Sequence, residues 1–418
     1  MKATILLLSL FLLSIGSPAS SQQWQFAKTI GSTNNDYASG ITADDDGNVY
    51  VVGEFHDELH LDTISLSNPG RWGIYIAKYD HNGSIIWAKA AVQATDSISD
   101  LFSKGIVVDK TGSVVITGNF LGSVRFGDSI HKSIGASDIF LAKYSADGLL
   151  QWVRTAGGSG TNNFNQNIAN ALSIDSLGNY YISGRYVSMA TFDTITITSV
   201  QLNEFFIAKY NSAGNIVWAK SGGGDGIHTG LGVCSASDGT TYACGQFFGH
   251  LTIDGFTLDS GDPEQKMFIA KFTTDGKTEW AKKVGTGGYY GSARDIAIDN
   301  SGNTYLTGYY RAGISIGGND FSYNNNYRYA TLIGSYDPNG EVKWAMSTGG
   351  SDQAGSGNKI GVDSASDIIL VGSFSGNTTL GDVTLPHPTG NSTFLAKLSG
   401  QGVVKWTKTI DGNGANSG

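Results

Sequence analysis

Cysteine is almost missing from this chain. Cys234 and Cys244 are the only two, too few for a disulfide scaffold. Charge is sparse as well, at 15% of residues, and acids outnumber bases 36 to 27 for a formal net charge of −9. A nucleic-acid binder needs a basic stripe to meet phosphates; none occurs, so nucleic acid is excluded as a partner. Beyond the N-terminal segment no apolar run is long enough to cross a bilayer, so no membrane span is expected. No phosphate loop, dinucleotide fingerprint or Ser/His/Asp order is present, and neither a cofactor nor a catalytic residue is assigned.

The N-terminal segment reads as an export signal. Lys2 supplies a small positive region, "ILLLSLFLLSI" (Ile5 to Ile15) an apolar run too short to span, and "SPASS" the small residues of a cleavage site. No cysteine follows, which excludes the usual bacterial lipoprotein. Residues 1–21 are therefore expected to be a signal peptide and 22–418 one exported domain, extracellular or at the cell surface, with the periplasm as the alternative. Its composition favours β-structure: 58 Gly, 19 Tyr, 19 Phe and 8 Trp, with few long helix-formers.

The abundant tryptophans carry a period. They fall at 24, 87, 152, 218, 280, 344 and 406, which is 62 to 66 residues apart, and only Trp72 lies outside the series. Around the last six runs one phrase, as in "YIAKYDHNGSIIWAK" and "FIAKYNSAGNIVWAK": strand, Gly-bearing turn, strand. A second phrase keeps the same period, from "DDDGNVYVVGEF" to "AIDNSGNTYLTGYY", each with a glycine after its second strand (Gly53, Gly118, Gly184, Gly245, Gly308, Gly372). The three carboxylates of Asp44, Asp45 and Asp46 suggest a calcium loop, but most other copies keep a single carboxylate. One carboxylate turns a corner by accepting backbone N–H bonds, so no metal site is assigned. Connectors such as "LHLDTISL" and "LTIDGFTL" add a short strand to each repeat.

Four-stranded units at a fixed period predict an all-β chain folded as a β-propeller, with six repeats of about 64 residues visible. The phrases "DxxGNxYxxG" and "FIAKYxxxGxxxWAK" resemble the SBBP family, the seven-bladed β-propeller repeat of exported bacterial proteins. The resemblance covers nearly all of 22–418 and implies a propeller with no catalytic residues to transfer. Only six full repeats are counted, and "WTKTIDGNGANSG" at the C-terminus parallels "WQFAKTIGSTNNDYASG" at the start. The chain is expected to stop mid-repeat, either as part of a longer, seven-bladed or larger parent or as six closing blades with a spare strand.

Candidate chemistry is thin. His56 and His60 have a helical metal spacing, but on a strand they stand about 13 Å apart. Cys234 and Cys244 lie on the two strands of one hairpin, as buried thiols or as a cross-strand disulfide. The lysine column (Lys78, Lys143, Lys209, Lys271, Lys397) is expected to cover apolar strand surface and reach the Asp column. The long connections carry Tyr37, Phe102 and Phe164. The fifth repeat adds more, and its Tyr289, Tyr290, Tyr309, Tyr310, Arg311, Tyr323, Tyr327, Arg328 and Tyr329 are the candidate ligand-binding residues. Two readings of these aromatics stand, a binding surface for a glycan or protein and packing between blades. A non-enzymatic binding or scaffold module is the expected function. The alternative is a propeller glycosidase or lyase built on loop acids such as Asp36, Asp96, Asp100, Asp225 and Asp352.

Overall fold

The computed structural model describes residues 26–31, 36–69, 71–94, 99–159, 166–199, 203–261, 264–288, 290–322, 328–349, 355–386 and 390–410. The expected signal peptide lies outside them, as does the end of the chain from residue 411. Every regular element among the described residues is a β-strand. The strands form six four-stranded antiparallel units in up-and-down order. The first runs Tyr37–Ala43, Val49–Phe55, Gly73–Tyr79 and Ile85–Gln93. The third strand, "GIYIAKY" here, is buried along its whole length: Ile74 and Ile76 face the second unit, while Tyr75, Ala77 and Tyr79 pack with Leu59 and Leu61 of the connector.

The innermost strands are Tyr37–Ala43, Asp100–Val108, Ile168–Ile174, His228–Ser235, Tyr290–Ile298 and Gly355–Val362. Each packs beside the next, from the first unit to the sixth. Among the described residues no comparable packing joins the sixth back to the first, so the ring is not closed there. The core accordingly lies in layers between adjacent units. In one layer Tyr50, Val52, Ile74 and Ile76 of the first unit meet Leu101, Ile116, Phe120 and Phe140 of the second.

Tight turns occupy one end of every unit. The Asp44 carboxylate accepts from the Asn48 N–H at 2.8 Å and the Tyr50 hydroxyl at 2.9 Å, which satisfies the turn and ties it to the core. Asp175 and Asp299 do the same through Asn179 and Tyr181, and through Asn303 and Tyr305. At the same end the outer-strand tryptophans reach the next unit. Trp87 donates to the Ala146 carbonyl at 2.9 Å, Trp218 to Thr274 at 3.1 Å and Trp344 to Gly400 at 2.9 Å. Each ring lies against a turn glycine: a Cβ on Gly276 would stand 2.6 Å from Trp218, and its φ of +82° already favours glycine.

The connectors differ from the sequence expectation. Each is a complete hairpin rather than one short strand, and it pairs with the outer strand of the preceding unit. Ala91, Val92 and Gln93 pair with Phe126, Arg125 and Val124, Ala156 and Gly157 with Phe192 and Thr191, Thr348 and Gly349 with Leu380 and Thr379. Single bridges repeat the contact at Gly31–His60, Gly223–Thr252 and Thr286–Ser315. The hairpins thus clasp each unit to its predecessor and occupy an outer edge that would otherwise be open.

Candidate binding site at the channel mouth

All six innermost strands carry the same irregularity. Their pairing with the second strand slips by one residue, leaving Ser39, Lys104, Asn170, Leu231, Arg294 and Asn358 unopposed. The cause is the glycine kept after the second strand of every repeat. A Cβ on Gly53, Gly118 or Gly184 would stand 1.9 Å from the carbonyl oxygen of Tyr37, Phe102 or Ile168, so only glycine lets the bulged backbone in. The bulge re-aims one side chain per unit. All six line one opening of about 470 Å³ between the innermost strands, here termed the channel mouth.

The bulges lie near the end of each unit that carries the long connections, opposite the tight turns. The residues following the kept glycines are close by, and two of them, Gln246 and Tyr309, line the opening too. So does Lys359, beside the bulge of the sixth unit. The charged side chains lining the opening are therefore Lys104, Arg294 and Lys359. Two carboxylates lie behind them, already committed. Glu54 is buried and accepts from the Ser103 N–H at 2.6 Å and its hydroxyl at 2.8 Å. Asp295 accepts from the Ile360 N–H at 3.0 Å and stands 3.7 Å from Lys359. Burial pushes both carboxyls above their ordinary range, against the pull of their hydrogen bonds and of the nearby lysines.

The fifth unit brings part of its expected residues together around Tyr309, the one of them that lines this opening. The rings of Tyr290 and Tyr309 are nearly parallel with centroids 6.2 Å apart, and Tyr329 meets Tyr309 edge-on at 4.7 Å. The Arg311 guanidinium lies 5.7 Å from the centroids of both Tyr290 and Tyr329. Arg294, which the sequence reading passed over, stacks on Tyr309 at 5.0 Å. Tyr290, Tyr309 and Tyr329 are half-buried, and Arg328 is exposed. Tyr310 points the other way, into the core, its hydroxyl 2.8 Å from that of Ser347. Tyr289, Tyr323 and Tyr327 lie outside the described residues, as do Phe164, Asp96 and Asp352. A second aromatic group flanks the first two units at the same end. Trp72 there meets His56 at 3.7 Å, Tyr37 at 5.6 Å and Phe102 at 6.4 Å.

Other candidates resolve into structural roles. Cys234 and Cys244 are free and buried, opposite Tyr242 and Gly232 rather than each other, and burial pushes both thiols well up. His60 bonds Ser65 within its hairpin, and no group of metal-ligating residues occurs among the described residues. Lys143 bonds Asp109 at 2.9 Å and the Tyr180 hydroxyl at 3.0 Å, and Lys397 pairs with Asp363 at 2.8 Å. Of the loop acids, Asp225 accepts from His250, Asp36 from the His56 N–H, and Asp100 stands 3.9 Å from Arg71.

Comparison with known proteins agrees with this architecture. The family described as "Beta-propeller repeat" (SBBP) matches residues 25–54, which span the first inner strand, its turn and the second strand. The chain carries a β-propeller repeat. A WD repeat-containing protein of Acanthamoeba polyphaga mimivirus is 26% identical over 93% of this chain and 34% of its own length. The regulatory protein FlaEY of Caulobacter vibrioides is 28% identical over 38% of this chain and 16% of its own. The propeller chain thus spans about a third or less of the curated relatives it matches. Among solved structures, hydrazine synthase of Kuenenia stuttgartiensis aligns over 80% of this chain and 92% of its own at 8% identity. Its TM-score of 0.38 is too low to carry an argument.

Proposed function

We propose that this chain is an exported, non-enzymatic β-propeller binding module that takes a glycan at the channel mouth, outside the cell or at its surface. One observation carries the reading. The repeats keep the bulge and the glycine that permits it, yet fill the bulged position with Ser, Lys, Asn, Leu, Arg and Asn. A position serving only the fold would suit one residue type in every copy. Six projections of five residue types into one opening suit an asymmetric ligand. The tyrosine cluster beside it offers ring faces for sugar C–H groups, with amides and arginines for hydroxyls. Export rests on the N-terminal sequence alone.

A glycan array on the purified chain, followed by titration of the best ligand, tests the proposal. Tyr329→Ala is expected to weaken that ligand roughly tenfold at an unchanged melting temperature, as loss of a contact residue would. A fall in melting temperature with unchanged affinity of the folded fraction would assign the cluster to packing between blades.

A further inference from the structure

We propose that the ligand of the channel mouth is an acidic sugar, whose carboxylate is held by Arg294 with Lys359 and Lys104. This deepens the binding reading above and rests on it. The chain carries a net charge of −9, yet the charged side chains lining its opening are all cations. Neutralisation from within is incomplete. Glu54 is spent on Ser103, and Asp295 serves the Ile360 N–H while standing 3.7 Å from Lys359.

Arg294 has the geometry of an anion receptor. It is exposed, its guanidinium is stacked 5.0 Å from the Tyr309 centroid, and Tyr309 is flanked by Tyr290 and Tyr329. Contact with the ring restrains the guanidinium, whose N–H fork suits a carboxylate held through two parallel bonds. Lys359 projects from the next blade and is also exposed. Asn170 and Gln246 line the same opening; Asn170 donates to the Gly230 carbonyl and Gln246 accepts from Gln265, which leaves the Asn170 Oδ1 and the Gln246 amide N–H groups to suit sugar hydroxyls. A volume of about 470 Å³ falls within the range of small-ligand pockets and accommodates roughly one or two sugar rings.

Calorimetric titration of the full chain with a galacturonate tetramer and with the neutral galactose tetramer tests the assignment. The acidic tetramer is expected to bind at least about tenfold tighter, with the advantage shrinking as salt rises. The double variant R294Q/K359Q should erase that advantage while keeping its melting temperature. Lys110→Gln, in a tight turn at the opposite end, should leave it intact. Equal affinity for the two tetramers, or a double variant that still prefers the acid, would overturn the proposal. Competition by inorganic phosphate as strong as that by free galacturonate would also overturn it, because the site would then read charge without the sugar. If neutral glycans bind and Tyr329→Ala alone abolishes binding, the glycan reading stands and the acidic one falls. If no glycan of either kind binds, both fall.

Discussion

His228 shows what burial costs at the scale of one residue. It is fully buried at the start of an inner strand, with Nε2 2.9 Å from the His250 carbonyl and Nδ1 without a hydrogen-bond partner. Desolvation holds its pKa down to about 4, against a smaller opposing pull from Asp225. Between pH 6.5 and about 4 the unfolded chain therefore binds a proton that the folded chain refuses. Stability is fully present above this window and is lost as pH falls through it, by at most about 3 kcal/mol. Urea midpoints at pH 7.5 and 4.5 check this. The wild type should lose more stability than His228→Phe over that interval, and equal losses would mean that the imidazole is hydrated in the folded protein. The sequence places this histidine in a connection and says nothing of its burial, because a lone histidine carries no periodicity.

At the scale of elements, the period-two strands, the Asp-bearing turns and the tryptophan column were legible because each recurs in register. Recurrence turns a weak local signal into a strong one. The connector hairpins were half legible. Their first strand stands out, while the second is short and partly exposed, and the first strand's other partner lies in another repeat. The bulges were missed although their signal was in plain view. A glycine kept inside a strand pattern marks a bulge or a close backbone approach, and Gly53 and its five counterparts carry that mark in every repeat. The clasp formed by the hairpins has a direct test. Phe126, on the first strand of its hairpin, is fully buried in the layer between the first two blades, whereas Ile130 on the second strand is exposed. Phe126→Ala is expected to cost about 3–5 kcal/mol, and Ile130→Ala within about 0.5 kcal/mol of nothing. Similar small losses at both positions in chemical denaturation would mean that the hairpin is a surface appendage.

At the scale of the whole molecule, a repeat protein must break its own symmetry to bind one asymmetric ligand. This chain does so at the bulge column, where the backbone is the same six times and the side chain changes. The sequence pointed to the fifth repeat because aromatics and arginines are conspicuous there, and Tyr290, Tyr309, Tyr329 and Arg311 do converge. It did not point to Lys104, Arg294 and Lys359. These lie one or more repeats apart or sit singly in a strand, and only the ring arrangement brings them to one opening. Leu231 is the one apolar member of the bulge column and lines the same mouth. Replacing it with Trp puts a large ring into the opening without touching the interblade layers. The decisive measurement is the dissociation constant of Leu231→Trp for the best array ligand, taken beside its melting temperature. Affinity is expected to fall at least about tenfold with melting unchanged, since the pocket is then occupied by protein. Undiminished affinity in a fully folded Leu231→Trp variant would place the ligand elsewhere and contradict the account.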